Sequence, residues 1–352
     1  MKKKLFAAAA AVALAAAMMI GCGNKAASGN GSAAEKNTET TSEAKAESAA
    51  ASEAKVSIVC TNFAEYDFAR AIAGDKAEIT MLLKPGAESH TYEPSPEDII
   101  RIQDSDMFVY VGGDSDEWVA DILDSMDQSK MHVFKLMDQV DTVQEEHVEG
   151  MEAEEEETKS EQDEKNLGKS DQEEEPELDE HVWASPVNAM QIVEKMSAQI
   201  ADIDPDHKEE YEKNAADYIG KIRNLDEQFR DITANAARKE IIVADRFPFL
   251  YFVKEYGLKY YAAFPGCASN TQPSAQTVAF LIDKVKEDQI PMVFHMELSN
   301  EQMADSIAEA TGAKAELLNA VHNVSAEDFA KGVTYVDLMQ HNAEVLKEAL
   351  NG

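Results

Sequence analysis

Basic residues are scarce in this chain. Thirty-two Lys and Arg stand against 68 Asp and Glu over 352 residues, a formal charge of −36. A duplex demands a basic face, so this balance argues against nucleic acid as a partner and fits an exported protein that handles cations. Long apolar runs are missing after the first one, Leu5 to Ile20, so no transmembrane helix is expected. Cysteine occurs only at Cys22, Cys60 and Cys267. Whether Cys60 and Cys267 pair is open in the sequence, because a bridge needs Cα atoms within about 7 Å.

The first apolar run follows Lys2, Lys3 and Lys4 and ends in Met19-Ile20-Gly21-Cys22. It is shorter than the roughly 20 residues a membrane span needs, and its layout is that of a signal peptide over 1–21. A cysteine at the cleavage point predicts that Cys22 becomes a lipid-carrying N-terminus. Gly23 to Ala54 contains no aromatic and no branched aliphatic residue. Such a stretch cannot bury enough surface to fold, so residues 22–54 are expected to be a flexible leash. Together these features predict an extracytoplasmic, membrane-anchored monomer.

About 300 residues remain, enough for one large domain or two lobes. Strand patterns at Lys55–Thr61, Ala77–Leu83, Met107–Val111 and Met131–Leu136 alternate with helical ones. Ser95-Pro96 and Ser185-Pro186 have helix-start chemistry, a capping hydroxyl followed by proline in the first turn. The rhythm returns at Glu240–Ala244, Tyr260–Phe264, Met292–Met296 and Glu316–Leu318. Alternation of this kind predicts βαβ units and parallel sheets. Between the halves, Tyr211, Ala215, Tyr218, Ile222, Leu225, Phe229 and Ile232 recur at helical steps. The expected architecture is α/β: an N-terminal lobe over 55–203, a long rigid linking helix over 204–237 and a C-terminal lobe over 238–352. Residues 144–180 hold 18 acidic residues against three Lys and are expected to form a disordered loop. That loop reads either as a weak collector of cations or as a solvated spacer.

In open α/β sheets ligands lie beyond the C-terminal strand ends, here in a cleft between the lobes. His90 follows a strand in a Pro-Gly loop, Asp245 closes the strand EIIVAD, and His322 follows the last strand. His181 lies where apolar patterning resumes after the acidic run, and His295 lies inside a strand, two residues before Glu297. Imidazoles with one carboxylate suit a borderline divalent ion, and this donor set favours zinc over manganese.

Three segments carry a family resemblance: KPGAESHTYEPSPED (Lys84 to Asp98), HVWASP (His181 to Pro186) and DRFPFLYFVKEY (Asp245 to Tyr256). They resemble the zinc- and manganese-binding solute-binding lipoproteins of bacterial ABC importers, over nearly all of residues 55–352. The resemblance implies that His90 and His181 are the first two metal ligands. Asp245 falls at the third position and His322 near the fourth, with His295 competing for either place in the C-terminal lobe. It further implies delivery of zinc, or of manganese, to a permease and ATPase complex. A metal-dependent surface adhesin is an alternative on the same fold. A zinc hydrolase using Glu297 as general base is a weaker one, since no His-Glu-x-x-His signature is present.

Overall fold

The computed structural model describes residues 55–152, 177–268 and 272–352. The signal peptide, the leash and the middle of the acidic run lie outside the described residues. Strands β1 (Val56–Cys60), β2 (Ala77–Met81), β3 (Met107–Tyr110) and β4 (His132–Lys135) form one sheet in the order β2-β1-β3-β4. Strands β5 (Glu240–Arg246), β6 (Lys259–Phe264), β7 (Met292–His295) and β8 (Lys314–Leu317) form a second in the order β6-β5-β7-β8. Every pairing is parallel, and the two halves repeat one topology.

Helices α1 (Phe63–Ala73), α2 (Pro96–Gln103), α3 (Glu117–Ser125) and α4 (Pro186–Ile203) belong to the first half. Helices α6 (Leu250–Tyr256), α7 (Ala275–Glu287), α8 (Gln302–Thr311), α9 (Ala326–Lys331) and α10 (Tyr335–Asn351) belong to the second, and α5 (Lys208–Ala234) joins them. The Ser95 hydroxyl accepts the N–H of Asp98 while the Asp98 side chain reaches back to Ser95, the reciprocal cap expected at α2. At α4 the Ser185 hydroxyl accepts the Asn188 N–H ahead of Pro186, without the return bond. The joining helix starts later than the pattern suggested, because Pro205 to His207 form a 3-10 turn first. Its 27 residues still span about 40 Å, and it packs on α1, α4 and α10, so it touches both halves.

Side chains on a strand alternate between faces, and here the two faces meet different cores. Ile58 and Cys60 on β1, with Ile241 and Val243 on β5, enter one large core that also takes in Phe63, Trp183, Phe229 and Phe294. Their neighbours Val59 and Ile242 face smaller clusters on the outer sides of the sheets. The halves therefore share their main core, and the described residues form one compact unit.

The ends of the acidic run are ordered, contrary to expectation. Gln144 and Leu178 form an antiparallel bridge. Glu145 N–H donates to Glu177 O at 3.0 Å and Asp179 N–H to Val143 O at 3.0 Å. Glu152 N–H reaches Ala263 O at 2.9 Å, and Lys254 pairs with Glu146 at 2.7 Å. These backbone bonds and a cross-half ion pair hold segments that their charge alone would leave in solvent. Cys60 and Cys267 are free thiols.

Glu65 lies wholly buried at the start of α1. It accepts the Thr61 hydroxyl and the Asn62 N–H, each at 2.9 Å. Burial first, and the nearby Asp116 second, push its pKa from 4.5 up to about 8. The unfolded chain ionises this group near 4.5 while the folded protein keeps its proton. Its contribution is therefore complete below that pH and declines, by up to about 1.4 kcal/mol per pH unit, as pH rises toward 8. In metal-free thermal melts Glu65→Gln is expected to exceed the wild type at pH 8.5 and to match it at pH 5. A pH-independent difference between the two would contradict this account.

Candidate metal centre

The C-terminal edges of both sheets point at one buried spot. His90 stands in the loop after β2, His181 opens the 3-10 turn Val182–Ala184, and His322 lies in the loop after β8. Their ring centroids are 4.8 Å (His181 and His322), 5.3 Å (His90 and His322) and 5.7 Å (His90 and His181) apart. One nitrogen from each lies within 4.8 Å of the other two. All three Nε2 atoms are buried without a hydrogen-bond partner.

The opposite ring nitrogens face oxygen. His90 Nδ1 is 2.8 Å from Ser115 Oγ and 3.4 Å from Glu180 Oε1. His181 Nδ1 is 3.1 Å from Asp179 Oδ1, and His322 Nδ1 is 3.7 Å from Glu297 Oε1. A carboxylate behind Nδ1 holds the proton there and leaves the Nε2 lone pair free for a cation. The carboxylates are themselves fixed. Glu297 accepts the N–H of His322 at 3.0 Å and that of Ala320 at 2.6 Å. Glu180 accepts the Ser115 N–H at 3.1 Å and its hydroxyl. Asp179 Oδ1 accepts His181 N–H at 2.8 Å, and its carbonyl accepts the Tyr251 hydroxyl at 2.7 Å.

The backbone is bent to achieve this. Val321, immediately before His322, has φ 64°, and Leu298, immediately after Glu297, has φ 59°. A β-branched residue in the left-handed region is strained and persists only where its surroundings over-determine it. Here Trp183 Nε1–H donates to Ala320 O at 2.8 Å. Phe63 N–H donates to His322 O at 3.0 Å, and Asn323 Nδ2 donates to Lys84 O at 2.7 Å and Ala87 O at 2.9 Å. The loop carrying His322 is thereby sewn to the loop that leads to His90. Opposite them, a Cβ on Gly266 would lie 3.0 Å from His181 Cε1 and 3.1 Å from Phe247 O, a tight approach that glycine relieves.

Two expected donors stand apart from this group. Asp245 is buried, but its carboxylate accepts its own neighbour Arg246 N–H at 2.8 Å and lies 3.4 Å from Met296 N. A register shift in β5 between Val243 and Arg246 gives it this backbone-bracing position. His295 directs Nδ1 at Met296 O, 3.1 Å away. Neither joins the cluster of mutually close donors. Sequence reasoning missed Asp179, Glu180 and Ser115 as supports, although the run Asp179-Glu180-His181 was available as a signal. It also missed Arg246, which is 6% exposed and bonds Glu88 Oε2 through Nη2 at 2.9 Å.

Burial chiefly, then the neighbouring His322 and His181 and the Arg246 charge, hold His90 well below the ordinary imidazole range. Burial likewise outweighs Glu297 and lowers His322. At His181 burial acts in the same direction, but Asp179, Glu180 and Glu145 overcome it and the net shift is upward. Cys267 lies close to His181 and Glu180. Burial and the surrounding carboxylates raise its pKa far above the ordinary thiol range, so it is not a ready thiolate donor.

A family profile described as the periplasmic component A of the zinc-uptake complex, ZnuA, matches residues 58–349. The chain is 34% identical over 299 residues to the high-affinity zinc uptake system protein ZnuA of Bacillus subtilis, covering 84% of this chain and 88% of that protein. It is 33% identical over 297 residues to the zinc-binding lipoprotein AdcA of Streptococcus pneumoniae, again over 84% of this chain but only 56% of that longer protein. The solved Zn(II)-bound ZnuA-like domain of pneumococcal AdcA superposes with a TM-score of 0.67 at 30% identity, covering 85% of this chain and 100% of that domain. No described helix is long and apolar enough to cross a membrane. The chain therefore belongs to the ZnuA family, the solute-binding component A of periplasmic zinc-uptake complexes.

Proposed function

We propose that this protein captures a zinc ion outside the cytoplasm with His90, His181 and His322 and hands it to an ABC importer permease driven by its ATPase. One observation carries this reading: three buried imidazoles turn unpartnered Nε2 atoms toward one another while a carboxylate stands behind each ring. Leaving such nitrogens unpaired is unfavourable unless a ligand takes them. An all-nitrogen donor set favours zinc over manganese, which prefers oxygen.

A lipid on Cys22 and the leash behind it tie the receptor to the membrane surface. Glu297 acts as a clamp on the His322 loop, not as a general base, because both its oxygens take backbone N–H groups. Capture involves little opening of the halves, since the loops at the site are already bonded across them and share the main core. Release then proceeds by local remodelling of these loops against the permease.

Replacing any one of the three histidines by Ala is expected to weaken zinc binding by about 100-fold or more, since each removes a donor. Competition against a chromophoric chelator measures this, and unchanged affinity in all three variants would refute the site. Asp179→Asn and Glu297→Gln should cost about 10- to 100-fold each in the same assay.

Protons and zinc compete for the same Nε2 atoms, so affinity falls as pH falls. With its pKa raised, His181 begins to protonate at higher pH than an ordinary imidazole; His90 and His322 follow only in acid. Apparent affinity measured from pH 8 to pH 5 should decline gradually at first and more steeply below about pH 6. A profile flat across that range would exclude imidazole donors.

A further inference from the structure

Zinc generally takes four ligands, and an open fourth position is what distinguishes sites that bind a further molecule. Among the described residues, the group of mutually close donors around His90 stops at three imidazoles. Arg246 lines the same cavity as His90. Its Nε is buried without a hydrogen-bond partner, although Nη2 is bonded to Glu88 at 2.9 Å. Glu88 already pairs with one arm of this guanidinium, and the unpartnered Nε leaves a further donor for an anion in the cavity.

The adjoining space suits such an anion. A cavity of about 590 Å³ is lined by His90 and Arg246 together with Thr91, Ser299, Asn300 and Ser306. That volume is typical of small-molecule sites and far exceeds the roughly 30 Å³ share of one water. Its hydroxyl and amide side chains match a polar ligand, and the planar fork of Arg246 matches a carboxylate. The two acidic side chains that also line it are engaged: Glu88 by Arg246, and Asp245 by backbone N–H.

We propose that zinc is held as a ternary complex, in which a small hydroxycarboxylate from solution completes the coordination begun by the three imidazoles and lies in this cavity against Arg246. This inference rests on the three-imidazole reading of the site. It assigns Arg246, at the junction of β5 and the cavity, as the residue that selects the anion.

The test uses the folded chain loaded with cobalt(II), whose visible d–d bands report the ligand set. Sodium lactate is titrated in, with sodium chloride at matched ionic strength as control. Lactate should shift the bands saturably, at concentrations well below those at which chloride has any effect. Arg246→Met should raise the lactate half-saturation by about tenfold or more, the loss of one charge-assisted hydrogen bond. Bands that ignore lactate would overturn the proposal, because the fourth donor would then be a chain group such as Glu88 or Asp245, or water. An equal response to chloride, or a variant that responds like the wild type, would overturn it as well. Should Arg246→Met fail to fold, the wild-type titration with its chloride control decides alone. If cobalt yields no nitrogen-ligated spectrum in the wild type, the three-imidazole reading itself fails and the proposal falls with it.

Discussion

Three imidazole nitrogens buried without partners, facing one another, are the constraint on which the rest of this structure depends. Each such atom costs on the order of 1–3 kcal/mol when left unsatisfied. Bringing the rings together also makes it unfavourable for any two of them to be charged. The surroundings offset both effects. Carboxylates behind the rings favour the Nδ1–H tautomer, and burial keeps His90 and His322 neutral. The left-handed conformations of Val321 and Leu298 flank the two residues, His322 and Glu297, whose placement matters most. Strain of this kind is found where function dictates geometry against local preference.

The site and the fold share their supports. Both sheets have the same strand order, and all strands are parallel, so their C-terminal ends deliver loops to one place. The inner faces of both sheets contribute to a single core, and the long helix Lys208–Ala234 packs along it. Asn323 bonds the carbonyls of Lys84 and Ala87, so one loop of the second half is fixed to one of the first. The roots of the acidic run add a third link, through Glu152 to Ala263 and through Glu146 to Lys254. A molecule joined at so many points is suited to small adjustments at the loops more than to wide opening.

Much of the architecture was legible because it is locally encoded. Strand alternation, the serine-proline helix starts and the apolar stripe from Tyr211 to Ile232 each depend on residues a few positions apart. The position of His90, His181 and His322 at strand ends or at a return of apolar pattern was legible too. Asp245 and Arg246 were not distinguishable in this way. An irregularity in β5 turns the aspartate toward backbone N–H groups and the arginine toward Glu88, and a one-residue shift in a strand reverses which side chain faces the site. Asp179 and Glu180 were read as the tail of a charged loop although they directly precede His181, because which ring each carboxylate stands behind is set by the fold.

Composition and periodicity by themselves determined the α/β class, the order of elements, the acidic character and the candidate histidines, since these follow from backbone sterics and from short-range patterns of burial. Only the tertiary structure decided which nitrogens converge, which carboxylate stands behind each ring and that Arg246 shares a cavity with His90. Those pairings join residues distant in the chain, and their geometry is set by how two sheets and one shared core pack together. No local preference specifies that packing.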